Sequence, residues 1–212
     1  MKRILFQGDS ITDAERDKVN GGDLGKGYPL LVKSELGYEA PGSYEFINRG
    51  ISGNRIVDVY ARIKRDIINL RPDVMSILIG VNDVWHEIGG QNGISTEKYF
   101  MLYDLLIGEV LTELPQIKLM ILEPFVLKGA ATEPSWDIFY PEVLERAKKA
   151  KEIAQKYGLV FVPLQQAFES AAAKSTEDCW LRDGVHPTPE GHELIKKAWI
   201  KAFKTLNIEE KP

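Results

Sequence analysis

Two short blocks of this chain hold the residue types that covalent acyl transfer requires. Ser10, in Gly8-Asp9-Ser10, offers a hydroxyl; Asp183 and His186, in Asp183-Gly184-Val185-His186-Pro187, offer a carboxylate and a base. A serine hydroxyl is a weak nucleophile until a base takes its proton, and the base works best when a third group fixes its ring. The two-residue spacer lets the Asp183 side chain fold back onto the His186 Nδ1–H, leaving Nε2 for Ser10. Pro187 biases His186 toward extended backbone on a loop. A shuttle working near neutral pH must be His86, His186 or His192, the three histidines of the sequence.

Acyl transfer also needs donors aimed at the oxygen on which negative charge develops. The Ser10 backbone N–H is one candidate. Gly53 is a second, because a residue without Cβ lets the backbone approach a substrate closely. The Asn82 side-chain amide, read as projecting from the end of a strand, is a third. Ser10 taken by itself reads as readily as a helix N-cap. Asp9 reads chiefly as a residue tying its own loop through backbone N–H groups, and as a candidate substrate contact.

The elements that must position these groups alternate in type. Short apolar, β-rich runs fall near residues 3–7, 44–48, 74–79, 117–123 and 159–163. Segments of helical period lie between and after them, near 27–36, 56–70, 95–114, 139–157 and 189–206. Val74-Met75-Ser76-Ile77-Leu78-Ile79 is almost wholly apolar, as a strand covered on both faces should be. The pattern predicts a single α/β domain spanning 1–212, three layers deep and flavodoxin-like, with a central parallel sheet of about five strands. In such sheets ligands bind outside the carboxyl ends of the strands. Ser10, Gly53, Asn82 and the Asp183–His186 loop all follow strands.

Composition narrows the function. The chain has 212 residues, 44% hydrophobic and 27% charged, which excludes a disordered or fibrous protein. A formal net charge of −4 argues against a nucleic-acid partner. No apolar run is long enough to span a membrane, and the start of the chain does not read as a signal peptide, so a cytoplasmic location is expected. Cys179, the one cysteine, excludes an internal disulfide and reads as a small, partly buried residue. Charged stretches at 146–156 and 209–211 read as solvated faces.

Gly8-Asp9-Ser10, Gly53, Gly80-Val81-Asn82-Asp83 and Asp183-Gly184-Val185-His186 resemble, in order, the four signature blocks of the SGNH (GDSL-type) hydrolases. The resemblance runs over essentially the whole chain; Ile11 stands where Leu is usual. It implies that Ser10 is the nucleophile, that Asp183 and His186 complete a triad, and that Ser10, Gly53 and Asn82 form the oxyanion hole. No cofactor and no metal is implied. Ile51-Ser52-Gly53-Asn54-Arg55 and Asn82-Asp83-Val84-Trp85 further resemble the cytoplasmic xylan acetyl esterase type. That implies removal of acetyl groups from sugar hydroxyls, on small acetylated carbohydrates such as xylo-oligosaccharides. Trp85, Trp136, Tyr140 and Trp180 are candidate sugar-stacking residues. Assembly as a homo-oligomer is expected from similar esterases alone.

Three rival readings stand beside this one. A lysophospholipase or thioesterase would use the same triad on longer acyl chains. A two-metal phosphoesterase would use Asp9, Asp13, Asn82 and Asp83 as ligands, but such sites usually take several histidines. A non-catalytic binder on the same frame would not need Ser10, Asp183 and His186 together. Of the other histidines, His86 reads as an exposed loop residue in preference to a substrate-facing one, and His192 as packing or capping the last helix. The segment Gly21–Gly27, with its several glycines, reads as a mobile loop over the site entrance.

Overall fold

The computed structural model describes residues 1–206 and 208; the charged tail at 209–211 lies outside the described residues. Five parallel strands, β1 (Lys2–Gly8), β2 (Tyr44–Asn48), β3 (Val74–Leu78), β4 (Lys118–Leu122) and β5 (Val160–Val162), form one sheet in the order β2-β1-β3-β4-β5. β1 is thus flanked by β2 and β3, and the order reverses beside it, which opens a crevice at the carboxyl edge there.

Alternation along the strands builds two cores. Ile4, Phe6, Val74, Leu78, Met120 and Leu122 face one way. There they meet Tyr28, Val32 and Leu36 of α2 (Tyr28–Glu39) and Ile195, Trp199 and Phe203 of α9 (Pro189–Phe203). Leu5, Ile47, Met75, Ile77, Leu119 and Ile121 face the other way. They meet α3 (Ile56–Ala61), α4 (Ile63–Asp66), α6 (Thr96–Glu113) and the C-terminal half of α7 (Trp136–Tyr157). Both faces of the sheet are covered, as the apolar third strand requires.

Local chemistry sets the helix ends. The Ser95 side chain accepts from the Lys98 N–H at the start of α6, and Thr188 accepts from Gly191 at the start of α9, where Pro189 opens the helix. Gly158, in left-handed conformation, ends α7.

Three elements depart from the sequence expectation. The segment at 56–70 is broken rather than one helix. It turns at Arg62, whose guanidinium bonds Asn54, Asp66, Gln7 and the Arg49 carbonyl. The residues after β3, expected as a loop, form α5 (Val81–Gly90). A short helix, α8 (Gln165–Ala172), follows β5.

Candidate active site

β1 ends in Gly8, and a Cβ there would stand 2.3 Å from the Leu78 carbonyl oxygen, so only glycine fits between the strand ends. The chain then enters a four-residue helix, α1 (Ser10–Asp13), capped by Asp9, whose Oδ1 accepts the Ile11 N–H at 3.0 Å. Ser10 is thereby held at the first helical position on the sheet edge.

The Asp183–His186 segment is closed by its own backbone. Leu181 bridges Pro187, and the Arg182 N–H donates to the His186 carbonyl at 2.8 Å. The loop after β4 braces it through Leu127 N–H to Gly184 and Ala131 N–H to Asp183. Inside this turn Asp183 Oδ1 accepts the Val185 and His186 N–H groups at 2.9 and 2.8 Å. Asp183 Oδ2 lies 2.7 Å from His186 Nδ1, and His186 Nε2 lies 3.0 Å from Ser10 Oγ.

Electrostatics assign the protons. Burial works to raise the Asp183 pKa, but the bonds from the His186 ring and two backbone N–H groups hold it down at about 2. An ionised carboxylate cannot donate, so Nδ1 carries the proton and Nε2 of the neutral ring accepts from the Ser10 hydroxyl. The same bond to Asp183 raises the His186 pKa against the opposing effect of burial. The imidazolium is thus stabilised in advance.

Gly53 lies between α1 and α5 with φ of 80°, a conformation that suits glycine. Among the described residues, neither the Gly53 N–H nor the Ser10 N–H makes a hydrogen bond. Asn82 donates one amide hydrogen to the Asn54 carbonyl at 3.1 Å, which fixes its side chain and leaves a second N–H. Asn82 belongs to the first turn of α5 rather than to a strand end. Three unspent donors therefore come from α1, α5 and the loop between β2 and α3.

Two chambers meet at Ser10, Ser52 and His186. The first, about 630 Å³, is walled by Gly53, Asn82, Trp85, His86, Gly89 and Asn92. The second, about 530 Å³, is walled by Ala14, Glu15, Lys26, Arg182, Pro187 and His192.

Of the aromatic candidates, among the described residues only Trp85 lines either of these two chambers, its indole 5.8 Å from the His186 ring. Trp136 and Tyr140, four residues apart on α7, stack on each other at 4.8 Å, and Tyr140 bonds Glu169. Trp180 donates its indole N–H to Ser175. Asp9 lines neither chamber: it is buried beneath Ser10, its carboxylate committed to the α1 cap. Burial raises the Asp9 pKa to about 7 and that of Asp83, which accepts the Ile56 N–H, to about 8. Asp13 accepts the Ser52 N–H. These three carboxylates serve backbone donors, and among the described residues no group of His, Cys, Asp or Glu is arranged to hold a metal.

Other expectations are corrected. His86 is a half-buried wall of the first chamber on α5, and the spacing 82, 85, 86, 89 that could have revealed it is helical. His192 is buried, and its Nδ1 accepts the Tyr28 N–H, so it caps α2 rather than its own helix; burial lowers its pKa to about 4. Cys179 is exposed. Of the 21–27 segment, Lys26 reaches the second chamber, whereas Gly21 and Gly22 border a separate groove beside Arg3 and Tyr44.

Known proteins share this arrangement of elements. The model of the GDSL-like lipase/acylhydrolase family matches residues 6–194. An acetylxylan esterase of Geobacillus stearothermophilus is 30% identical over 207 residues, covering 94% of this chain and 93% of its own. A crystal structure of that organism's acetylxylan esterase Axe2 superimposes with a TM-score of 0.85 at 28% identity, covering 100% of this chain and 96% of that one. A GDSL-like lipase structure from Parabacteroides merdae gives 0.90 at 36% identity, covering 96% and 95%. No helix among the described residues is long and apolar enough to cross a membrane. The chain belongs to the GDSL-like lipase/acylhydrolase family and is a carboxylic ester hydrolase.

Proposed function

We propose that this chain removes acetyl groups from sugar hydroxyls through a covalent acyl-enzyme on Ser10. The observation that carries the reading is the continuous chain of contacts Ser10–His186–Asp183, at 3.0 and 2.7 Å. His186 Nε2 takes the hydroxyl proton as Ser10 Oγ attacks the acetyl carbonyl. The carbonyl oxygen, now negative, rests on the Ser10 and Gly53 N–H groups and the free N–H of Asn82. Asp183 keeps the imidazolium oriented. His186 then hands its proton to the departing sugar oxygen, and water, deprotonated by the same nitrogen, releases acetate and restores Ser10.

The sugar part of the reading is supported by similarity to an acetylxylan esterase and by Trp85, a flat apolar face beside the reacting groups. Acetylated xylo-oligosaccharides are the substrates it favours. Acetate release across acetylated xylo-oligosaccharides, acetylated pectin fragments and a lysophospholipid tests it. With 4-nitrophenyl esters, rates should fall steeply beyond butyrate; rates that climb with chain length identify a lipid-type acylhydrolase instead.

A further inference from the structure

The wall that holds the Gly53 and Asn82 donors carries a further polar side chain. His86 follows Trp85 on α5, and both line the first chamber. A Cβ built on Gly53 would stand 3.9 Å from His86 Nε2, so the nitrogen edge of the ring faces the segment that carries the Gly53 N–H. Gly89 and Gly90, three and four positions further along α5, bring no side chain to cover the ring, and a Cβ on either would meet nothing within 4 Å.

The neighbouring polar groups are already committed. The Ser52 hydroxyl donates to Asp13 at 3.1 Å, and Asn92 Oδ1 accepts from Arg55 at 2.9 Å. The Asp58 carboxylate, which senses the His86 ring electrostatically, accepts the N–H and the guanidinium of Arg55 at 2.9–3.1 Å. The His86 ring nitrogens, half-buried, make no hydrogen bond or ion pair among the described residues. A neutral imidazole offers one donor and one acceptor, and an occupant of the chamber that matches neither leaves them desolvated at a cost.

The two halves of an acetyl ester differ in what they can offer that ring. The acetyl half has its carbonyl oxygen, which the oxyanion donors take, and otherwise a methyl group. The sugar half has free hydroxyls beside the ester and C–H faces that pack on a flat ring. Trp85 and His86 together supply an apolar face and a hydrogen-bonding edge of that kind.

We propose that His86 is a specificity-determining residue that hydrogen-bonds the free hydroxyl on the carbon next to the ester, so that the preferred substrate is the monoacetate of a vicinal diol. The inference rests on the sugar esterase reading above and names the feature of the alcohol that the same site recognises.

Two esters that differ by that one hydroxyl test it: trans-cyclohexane-1,2-diol monoacetate and cyclohexyl acetate, which share a ring of sugar size. With their rates toward hydroxide divided out, wild type should favour the diol ester by roughly three- to tenfold in kcat/KM, mainly through KM, as one hydrogen bond provides. His86→Phe, which keeps a flat ring without nitrogen, should lose the preference. His86→Gln, which restores a donor and an acceptor, should regain part of it. Circular dichroism checks the fold of each variant. No preference in wild type, a preference that survives His86→Phe, or a loss in His86→Phe that is equal on both esters overturns the inference. Should any of these occur while wild type still frees acetate from acetylated xylo-oligosaccharides, the inference falls and the sugar reading stands. Failure of wild type to hydrolyse 4-nitrophenyl acetate overturns the esterase reading, and the inference with it.

Discussion

The Asp13 carboxylate, one turn beyond Ser10 and almost fully buried, accepts both the N–H and the hydroxyl of Ser52, at 3.0 and 3.1 Å. Ser52 precedes Gly53, so the helix that carries Ser10, the proposed nucleophile, also anchors the segment that carries Gly53, a proposed oxyanion donor. Asp83 does the same from the other side by accepting the Ile56 N–H.

Asp13→Ala should therefore lower kcat by roughly 10–100-fold with little change in KM, because a donor displaced by about 1 Å loses most of its value. Asp13→Asn, which keeps an acceptor oxygen, should recover part of the rate. Steady-state kinetics alongside thermal unfolding decide it: a variant that loses stability but keeps kcat would reduce Asp13 to a structural tie.

Asn82→Ala should cost roughly 10²–10³ in kcat, as the loss of one oxyanion donor does elsewhere. The neighbouring Asn54 carbonyl also loses its partner. Rates on 4-nitrophenyl acetate give the measurement, and an unchanged kcat would assign Asn82 to structure alone.

The pH profile follows from the His186–Asp183 bond. In the proposed mechanism His186, as the base, must be neutral, and its pKa is raised above 6.5 by Asp183, so kcat/KM should climb with pH through a midpoint above 6.5. Asp183→Asn should move that midpoint down while lowering kcat. Stability runs the opposite way for the histidine: its contribution is complete below 6.5 and fades as pH rises through the raised pKa. For Asp183 the contribution is present above 3.8 and lost as pH falls toward about 2. A rate profile with its midpoint at or below 6.5 would contradict the assignment.

The strands and the residues at their carboxyl ends are legible in the sequence because apolar runs end abruptly in Gly, Ser, Asn and Asp. The helix α5 is not, because Asn82, Asp83, Gly89 and Gly90 are poor helix formers read locally. Burial of Val81 and Val84 and the contact of Trp85 with Phe139 hold it in place. Missing that helix favoured the exposed-loop reading of His86 over the substrate-facing one, although His86 shares its cavity-facing side with Asn82 and Trp85. The loop-tying task of Asp9 was legible, but those of Asp13 and Asp83 were obscure, since their partners are backbone N–H groups distant in sequence that no side-chain pattern announces. Trp136 and Tyr140 misled for a related reason: two aromatics four apart on a helix satisfy each other.

Whether Ser10 is the nucleophile is read most directly by labelling the wild-type enzyme with a fluorophosphonate, followed by peptide mass spectrometry. One adduct is expected, on the peptide containing Ser10, formed in step with loss of esterase activity and absent in Ser10→Ala. Labelling at another residue, or a Ser10→Ala enzyme that still turns over 4-nitrophenyl acetate at the wild-type rate, would contradict that role for Ser10.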